Sequence, residues 1–414
     1  VIEKQFNDLV TQLQYLNTHG AEGEYDALVR SSASTLTQLF NSYSKKLDDV
    51  AANQTESFTQ DLATVNGLLE NIRDLNASIR SSEIHGDSAL EQRDSRNVLI
   101  DKLSQYMKID VTLGSEQIGE GQFVEKLTIK LAGGTSNATL VEGGFSGKLS
   151  LAPNTTNFQL DYSPLTDARG SVLTGSKVEQ LGDSGLYGGL QSSREILTKK
   201  GEFSTAAELA ADPKSGSKRG IPYYRNALDV LARKFANTMN GANGNNGALF
   251  SNSGTNNDTA GITAGNLSVS QGWASGATTI CKSTKPNPTS GDTSNIAHII
   301  ILLDSKLPYT PGDLDGTLPN ATIPYYTGSF QGALCNISAT LAHDKSTTTT
   351  MLKNYAGAAN ELATSRDAVS GVELNDEAAS LMQYQKSYSA ACRLMTTIDE
   401  MLDKLINGTG IVGR

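Results

Sequence analysis

The sequence predicts an α+β, elongated multi-domain protein in which a bundle of long helices carries an inserted β-rich domain. Three observations lead there. All ten prolines fall between Pro153 and Pro324, so both ends of the 414-residue chain lack the residue that breaks helices. Apolar residues near the N-terminal end recur in steps of three and four, and near the C-terminal end in strict steps of seven. Between these regions, from residue 109, the apolar period drops to two. The division that follows is a helical region over 1–108, an inserted β-rich domain over 109–186, a continued helical body with irregular loops over 187–370, and a C-terminal assembly helix over 371–414.

The first long helix is read from Leu36, Phe40, Tyr43, Leu47 and Val50, continued by Phe58, Leu62, Val65, Leu69, Ile72 and Ile79. Such spacing keeps one side of a helix apolar for about forty residues, roughly 60 Å at 1.5 Å per residue. Gly86 interrupts it, and Ser88 with Glu91 has the spacing of a capping box at the head of a second helix that runs to about Met107. Beyond Lys108 the alternating triplets Ile109, Val111, Leu113, then Leu127, Ile129, Leu131, then Phe158, Leu160, Tyr162 predict strands with one buried face. Gly133, Gly143 and the run from Gly182 to Gly189 punctuate them. Helical spacing returns over 222–240 with Tyr224, Leu228, Leu231 and Phe235, followed by an Asn- and Gly-rich loop over 241–247 and a polar loop over 274–294.

The last segment has the clearest periodicity. Leu374, Leu381, Tyr388, Met395 and Leu402 are spaced by seven, and Tyr384, Ala391, Ile398 and Leu405 form a second series three places on, the a and d positions of a heptad. Asn375, Asp376 and Glu377 favour the helix start, and Gly408 its stop. A helix of about 32 residues with two apolar columns needs a partner in water. These nine side chains are therefore the candidate assembly surface.

Composition argues against other functions. The net charge of -10, with no long run of either sign, is opposite to that of a dedicated nucleic-acid binder. The longest strongly apolar run, Ile299 to Leu303, is far short of the roughly 20 residues needed to cross a bilayer. Cys281, Cys335 and Cys392 match neither a zinc site nor a disulfide framework, and Cys392, within the heptad, reads as a small apolar residue. His19, His85, His298 and His343 form no ligand pattern, and His298, beside Ile299, reads as partly buried. Asp313, Asp315 and Gly316 imitate part of a calcium loop, but Pro311 and Thr322 stand where its first and twelfth ligands belong. Neither a nucleophile elbow nor a phosphate loop occurs, so no catalytic residue, metal or cofactor is expected. Lys214 to Arg219 reads as a short solvated basic loop, and Tyr223 and Tyr224 as core or interface aromatics.

Two stretches carry a family resemblance. Residues 370–388, SGVELNDEAASLMQYQKSY, continued by RLMTTIDEMLD over 393–403, resemble the C-terminal signature of flagellar axial proteins. Residues 90–111, LEQRDSRNVLIDKLSQYMKIDV, are similar to a segment typical of the hook-associated protein 1 family. The resemblance covers most of 1–200, 220–272 and 330 to the end. It implies a structural subunit that joins hook to filament outside the cell, is exported unfolded by the flagellar type III apparatus, and is escorted by a chaperone bound to its C-terminal helix. It also implies partners: further copies, the hook protein and hook-associated protein 3. The family's conserved N-terminal segment, which pairs with the C-terminal helix, is not found at the start of this sequence. A second flagellar axial protein, or a surface adhesin acting through the β-rich domain, is the competing expectation.

Overall fold

The computed structural model describes residues 2–19, 23–133, 138–152, 158–182, 186–253, 258–370 and 374–408, with the side chains of 370, 374–377 and 402–408 left out of the description. The chain divides into two compact units, Val1–Ala339 and Thr340–Arg414.

The first unit is built on one long helix. After α1 (Ile2–Thr18) comes α2 (Gly23–Ile84), 62 residues or about 90 Å. It starts thirteen residues earlier than the apolar period alone suggested, at Gly23. Its first turn carries Glu24 and Asp26, acidic groups that suit the positive end of the helix dipole. The chain then turns at Gly86, where φ is +87° and a side chain would be strained, into α3 (Leu90–Tyr106). The expected capping box is absent. The N-cap is Ala89, in the left-handed region with no side-chain cap, and the local polar contact is instead Asp87 Oδ1 accepting the Ala89 N–H at 3.1 Å. The turn geometry displaces the cap by one residue, so Ser88 cannot reach the N3 amide.

The strands follow where the period changes. Strands β1 (Ile109–Gly119), β2 (Gln122–Leu131), β3 (Thr139–Glu142) and β4 (Phe145–Ser146) form one antiparallel sheet in that order, and β5 (Leu149–Leu151), β6 (Leu160–Tyr162) and β7 (Glu179–Leu181) form another. In the β1–β2 hairpin, Val111 pairs with Ile129 and Leu113 with Leu127, so the two apolar series share a face. Ile129 and Leu127 are buried, but Val111 and Leu113 are exposed, Leu113 by 62%. The expectation of a buried face therefore holds for β2, while on β1 Ile109 still packs half-buried against the core and Val111 and Leu113, farther along the sheet's outer edge, lie beyond the covering apolar layer.

Helix α4 (Gly188–Thr198), the short α5 (Ala206–Ala211) and α6 (Ile221–Asn243) return the chain to helix. The hairpin of β8 (Phe250–Asn252) with β9 (Leu267–Val269), then α7 (Gln271–Ala274), α8 (Ser294–Asp304) and the hairpin of β10 (Leu307–Tyr309) with β11 (Tyr326–Gly328) complete the body. The polar stretch 275–293 between α7 and α8 has no regular element, as its composition predicts.

Two apolar cores result. The first joins Phe6, Leu9 and Leu13 of α1 to Leu36 and Phe40 of α2, Leu231 and Phe235 of α6, Phe250, Trp273, Ile299 of α8 and Phe330. The second joins Phe58, Leu62, Val65, Leu69 and Ile72 of α2 to Leu103 of α3, Leu127, Ile129, Leu140, Leu160 and Tyr162 of the sheets, and Leu190 of α4. The β-rich stretch thus shares its core with half of α2 rather than packing only on itself. Over this second core lies a polar cluster. Arg93 pairs with Glu83 and with Glu125 at 2.5 Å, and Arg96, almost fully buried, reaches Glu125 at 2.6 Å and Asn76 Oδ1 at 3.0 Å. Asn76 in turn donates to the Gly143 carbonyl at 2.9 Å. Two helices, a strand and a turn are tied at one point.

The second unit consists of the part of α9 (Phe330–Ser370) from residue 340 onward, together with α10 (Leu374–Gly408). Among its described side chains none is buried.

Candidate assembly interface

Helix α10 forms because its sequence favours it: good formers Leu, Ala, Met, Gln, Lys and Glu dominate, and no proline or internal glycine occurs before Gly408. On it, Leu381, Tyr388 and Met395 fall in one column and Tyr384, Ala391 and Ile398 in the next. All six are exposed, Leu381 by 69% and Tyr388 by 73%. The expectation for the side chains of Leu374, Leu402 and Leu405 lies outside the described ones. Three more exposed apolar residues share the helix: Met382, Leu394 and Met401. Leu394 and Met401 are seven apart and, with Leu381 set as an a position, fall at g, where two-stranded coiled coils carry charge. The apolar stripe is therefore three columns wide over its second half. Sequence reasoning missed this third column because it sought only a and d; the spacing of seven between Leu394 and Met401 was the available signal.

Helix α9 repeats the pattern more weakly. Leu341, Tyr355, Leu362 and Val369, with Thr348 between, are spaced by seven, and Leu352 lies three before Tyr355. The four apolar members and Leu352 are exposed. Lys345, Ala359 and Arg366 occupy the companion column and dilute it.

Among the described residues no group of three or more His, Cys, Asp or Glu is placed to hold a metal. Asp313 is held by Lys234 Nζ at 2.8 Å and caps a short 3-10 turn through the Thr310 N–H, a use unrelated to cation binding. His298 is exposed, not partly buried, because α8 turns Ile296 and Ile299 inward and residue 298 outward. His19 stacks on Tyr25 at 4.4 Å and contacts the Tyr15 carbonyl at 2.9 Å. Cys335 and Cys392 are exposed free thiols, and with Leu381 at a, Cys392 falls at e, beside the a and d columns rather than in them.

The basic loop over 214–219 is exposed at Lys214, Ser217 and Arg219, as expected, but it is also tied down by ion pairs. Lys218 bridges Glu195 at 2.6 Å and Asp212 at 3.0 Å, Arg219 pairs with Glu202 at 2.9 Å, and Ser215 is buried. Burial works against the charge on Lys218, but its hydrogen bonds to Glu195 and Asp212 prevail and raise its pKa. Tyr223 is buried against Phe203 at 5.8 Å and meets Tyr224 edge-on at 5.1 Å, as core aromatics.

Long helices around two apolar cores in the first unit, and apolar columns at heptad spacing along the last helix, define a helix-rich protein of α+β class. The sequence pattern of the helical domain of flagellar hook-associated protein FlgK matches residues 1–256, and that of the flagellar basal body rod FlgEFG protein C-terminal region matches residues 366–408. Flagellar hook-associated protein 1 of Bacillus subtilis (strain 168) is 24% identical over 422 residues, covering 99% of this chain and 76% of its own. The solved structure of the flagellar hook junction protein FlgK from Burkholderia pseudomallei is 20% identical, with a TM-score of 0.43, over 61% of this chain and 38% of that one. The chain belongs to the flagellar hook-associated protein FlgK family, structural components of the hook–filament junction of the bacterial flagellum.

Proposed function

We propose that the chain acts at that junction by polymerising through α10, with no catalytic step and no cofactor. The observation that carries this reading is the exposed stripe of Leu381, Tyr384, Tyr388, Met395 and Ile398. Burying each such side chain is worth about 1.5–3 kcal/mol, so the five together supply roughly 8–15 kcal/mol gross. Association costs about 4–15 kcal/mol, which leaves little surplus from one partner helix. The third column of Leu394 and Met401 favours packing against more than one neighbour, as a multi-subunit assembly requires. Neighbours are further copies, the hook protein and hook-associated protein 3, with the assembled subunit outside the cell. Before assembly the same stripe is the binding surface for a type III export chaperone, since an unshielded apolar stripe invites aggregation. Residues 371–414 are then the assembly helix, with 1–108 and 187–370 as the body and 109–186 as the β-rich insertion. Neither nucleic acid nor membrane is a partner; no helix among the described residues is long and apolar enough to cross a bilayer.

The test is substitution of Leu381→Asp and, separately, Met395→Asp in the full-length protein. Each puts a carboxylate where a partner helix packs, at a cost of several kcal/mol. The expected outcome is a folded body, loss of swimming, flagellin released into the medium and weakened binding of the C-terminal peptide to the chaperone. Normal motility together with undiminished chaperone binding in both variants would sink the proposal.

A further inference from the structure

Helix α2 serves both apolar cores, but over its middle the half-buried Leu47 is the one apolar side chain that packs against either. Toward the first core its last buried residue is Ser44, and toward the second its first is Phe58. Across the thirteen residues from Lys45 to Ser57, more than three turns, no side chain is buried. A helix of that length has little stability of its own in water and relies on tertiary packing. Its sequence adds no exceptional strength in compensation, because Asp48, Asp49, Val50, Asn53, Thr55 and Ser57 are modest helix formers set among good ones such as Lys45, Ala51 and Glu56. The Thr55 hydroxyl also donates to the Ala51 carbonyl at 2.8 Å, drawing on an acceptor of the helix ladder. Asp48 pairs with Arg225 of α6, but the two side chains stay 57% and 40% exposed, so the pair adds little.

Elsewhere the chain crosses between the cores over short distances. It passes from Leu197 in the second core to Phe203 in the first, and Ile221 packs on the second while Tyr223 lies in the first. These crossings are pinned to each other by the bridge between Lys200 and Arg219 and by the Gly220 N–H donating to the Lys199 carbonyl at 2.9 Å. Gly220 allows this approach, since a Cβ there would fall 2.5 Å from the Ile196 carbonyl oxygen.

We propose that Lys45–Ser57 is a yielding joint. Helix α2 opens there locally, by releasing a few of its i to i−4 hydrogen bonds, and the lobe bearing the sheets tilts against the lobe of α1, α6 and α8 about the pinned crossing. The joint is a property of the isolated chain and holds or fails independently of the assembly role of α10.

Hydrogen exchange on the intact protein under native conditions reads it directly. The amides of residues 49–58 exchange at least tenfold faster than those of 30–40 and 64–76 on the same helix. The double substitution Asn53→Ala with Thr55→Ala raises helix propensity without touching either core, and slows exchange of the segment about five- to tenfold while the flanks stay unchanged. Spin labels placed at exposed Leu28 and Val98, after replacement of the three native cysteines, give a broad distance distribution that narrows in the double variant. Protection of 49–58 equal to that of its flanks in the parent protein overturns the proposal, as does a distance distribution indifferent to the double substitution.

Discussion

Asp26 shows what one buried carboxylate does in this molecule. Near the start of α2 and 6% exposed, it accepts the Trp273 indole N–H at 3.1 Å and the Ile280 backbone N–H at 3.0 Å. Arg30, one turn on, donates to the Trp273 carbonyl at 2.6 Å. A stretch with almost no regular structure is thereby fastened to the longest helix by hydrogen bonds its own backbone cannot make. Asp26→Ala leaves two buried donors without a partner and should cost about 2–4 kcal/mol, seen as a lower thermal midpoint followed by Trp273 fluorescence. Asp26→Asn, which keeps one acceptor oxygen, should cost less. Asp212 makes a pH-dependent counterpart. Burial pushes its pKa up, but hydrogen bonds from Lys218, Lys199 and the Lys214 N–H outweigh burial and hold it below the ordinary carboxylate value. A carboxylate with a depressed folded pKa contributes stability that is present above the unfolded pKa of about 3.9 and lost as pH falls through the folded value. The midpoint difference between parent and Asp212→Asn should thus stay constant from about pH 8 to 5 and shrink below about pH 4. A difference that grows in acid would contradict the assignment.

At the scale of elements, α2 decides how the insertion behaves. The periodicity that marks residues 109–186 as a unit of its own type says nothing of what covers it, and Phe58, Leu62, Val65, Leu69 and Ile72 fill the same core as Leu127, Ile129 and Leu160. Deleting 109–186 therefore strips the second half of α2 of its packing, and its intrinsic propensity is too weak to hold it alone. Circular dichroism of the deletion should show loss of helix beyond that expected from the residues removed, while Trp273, in the first core, keeps its buried fluorescence. An undiminished helical signal per remaining residue would show that α2 needs no cover from the sheets. The buried arginine of this region behaves likewise: Arg96→Ala leaves Glu125 and Asn76 short of a donor at a buried site, at a cost of about 3–5 kcal/mol. Helix α10 is the contrary case, since its described apolar columns face outward. A charge placed there should alter joining and leave the thermal midpoint of the body unchanged.

For the molecule as a whole, the sequence by itself determined the parts that follow from local geometry. Steps of three and four, or of seven, align side chains on a helix whatever lies around it, and for this reason α2, α6 and the stripe on α10 were legible in advance. The alternating run after residue 108 likewise marked strands. Burial was not legible, because it depends on segments far away in the chain. Val111 and Leu113 carry the same alternation as Ile129 and Leu127 and differ only in standing on the edge strand, where the covering layer stops. Ser88 and Glu91 have capping-box spacing, yet the turn after Gly86 puts Ala89 at the N-cap. His298 sits in an apolar run and still points outward, because α8 turns its other face to the core. The basic residues around Lys218 read as solvated until folding brought Glu195, Glu202 and Asp212 beside them. Period is written in the covalent chain, whereas exposure, ion pairing and the division of α2 between two cores arise only when separate segments compete for the same space.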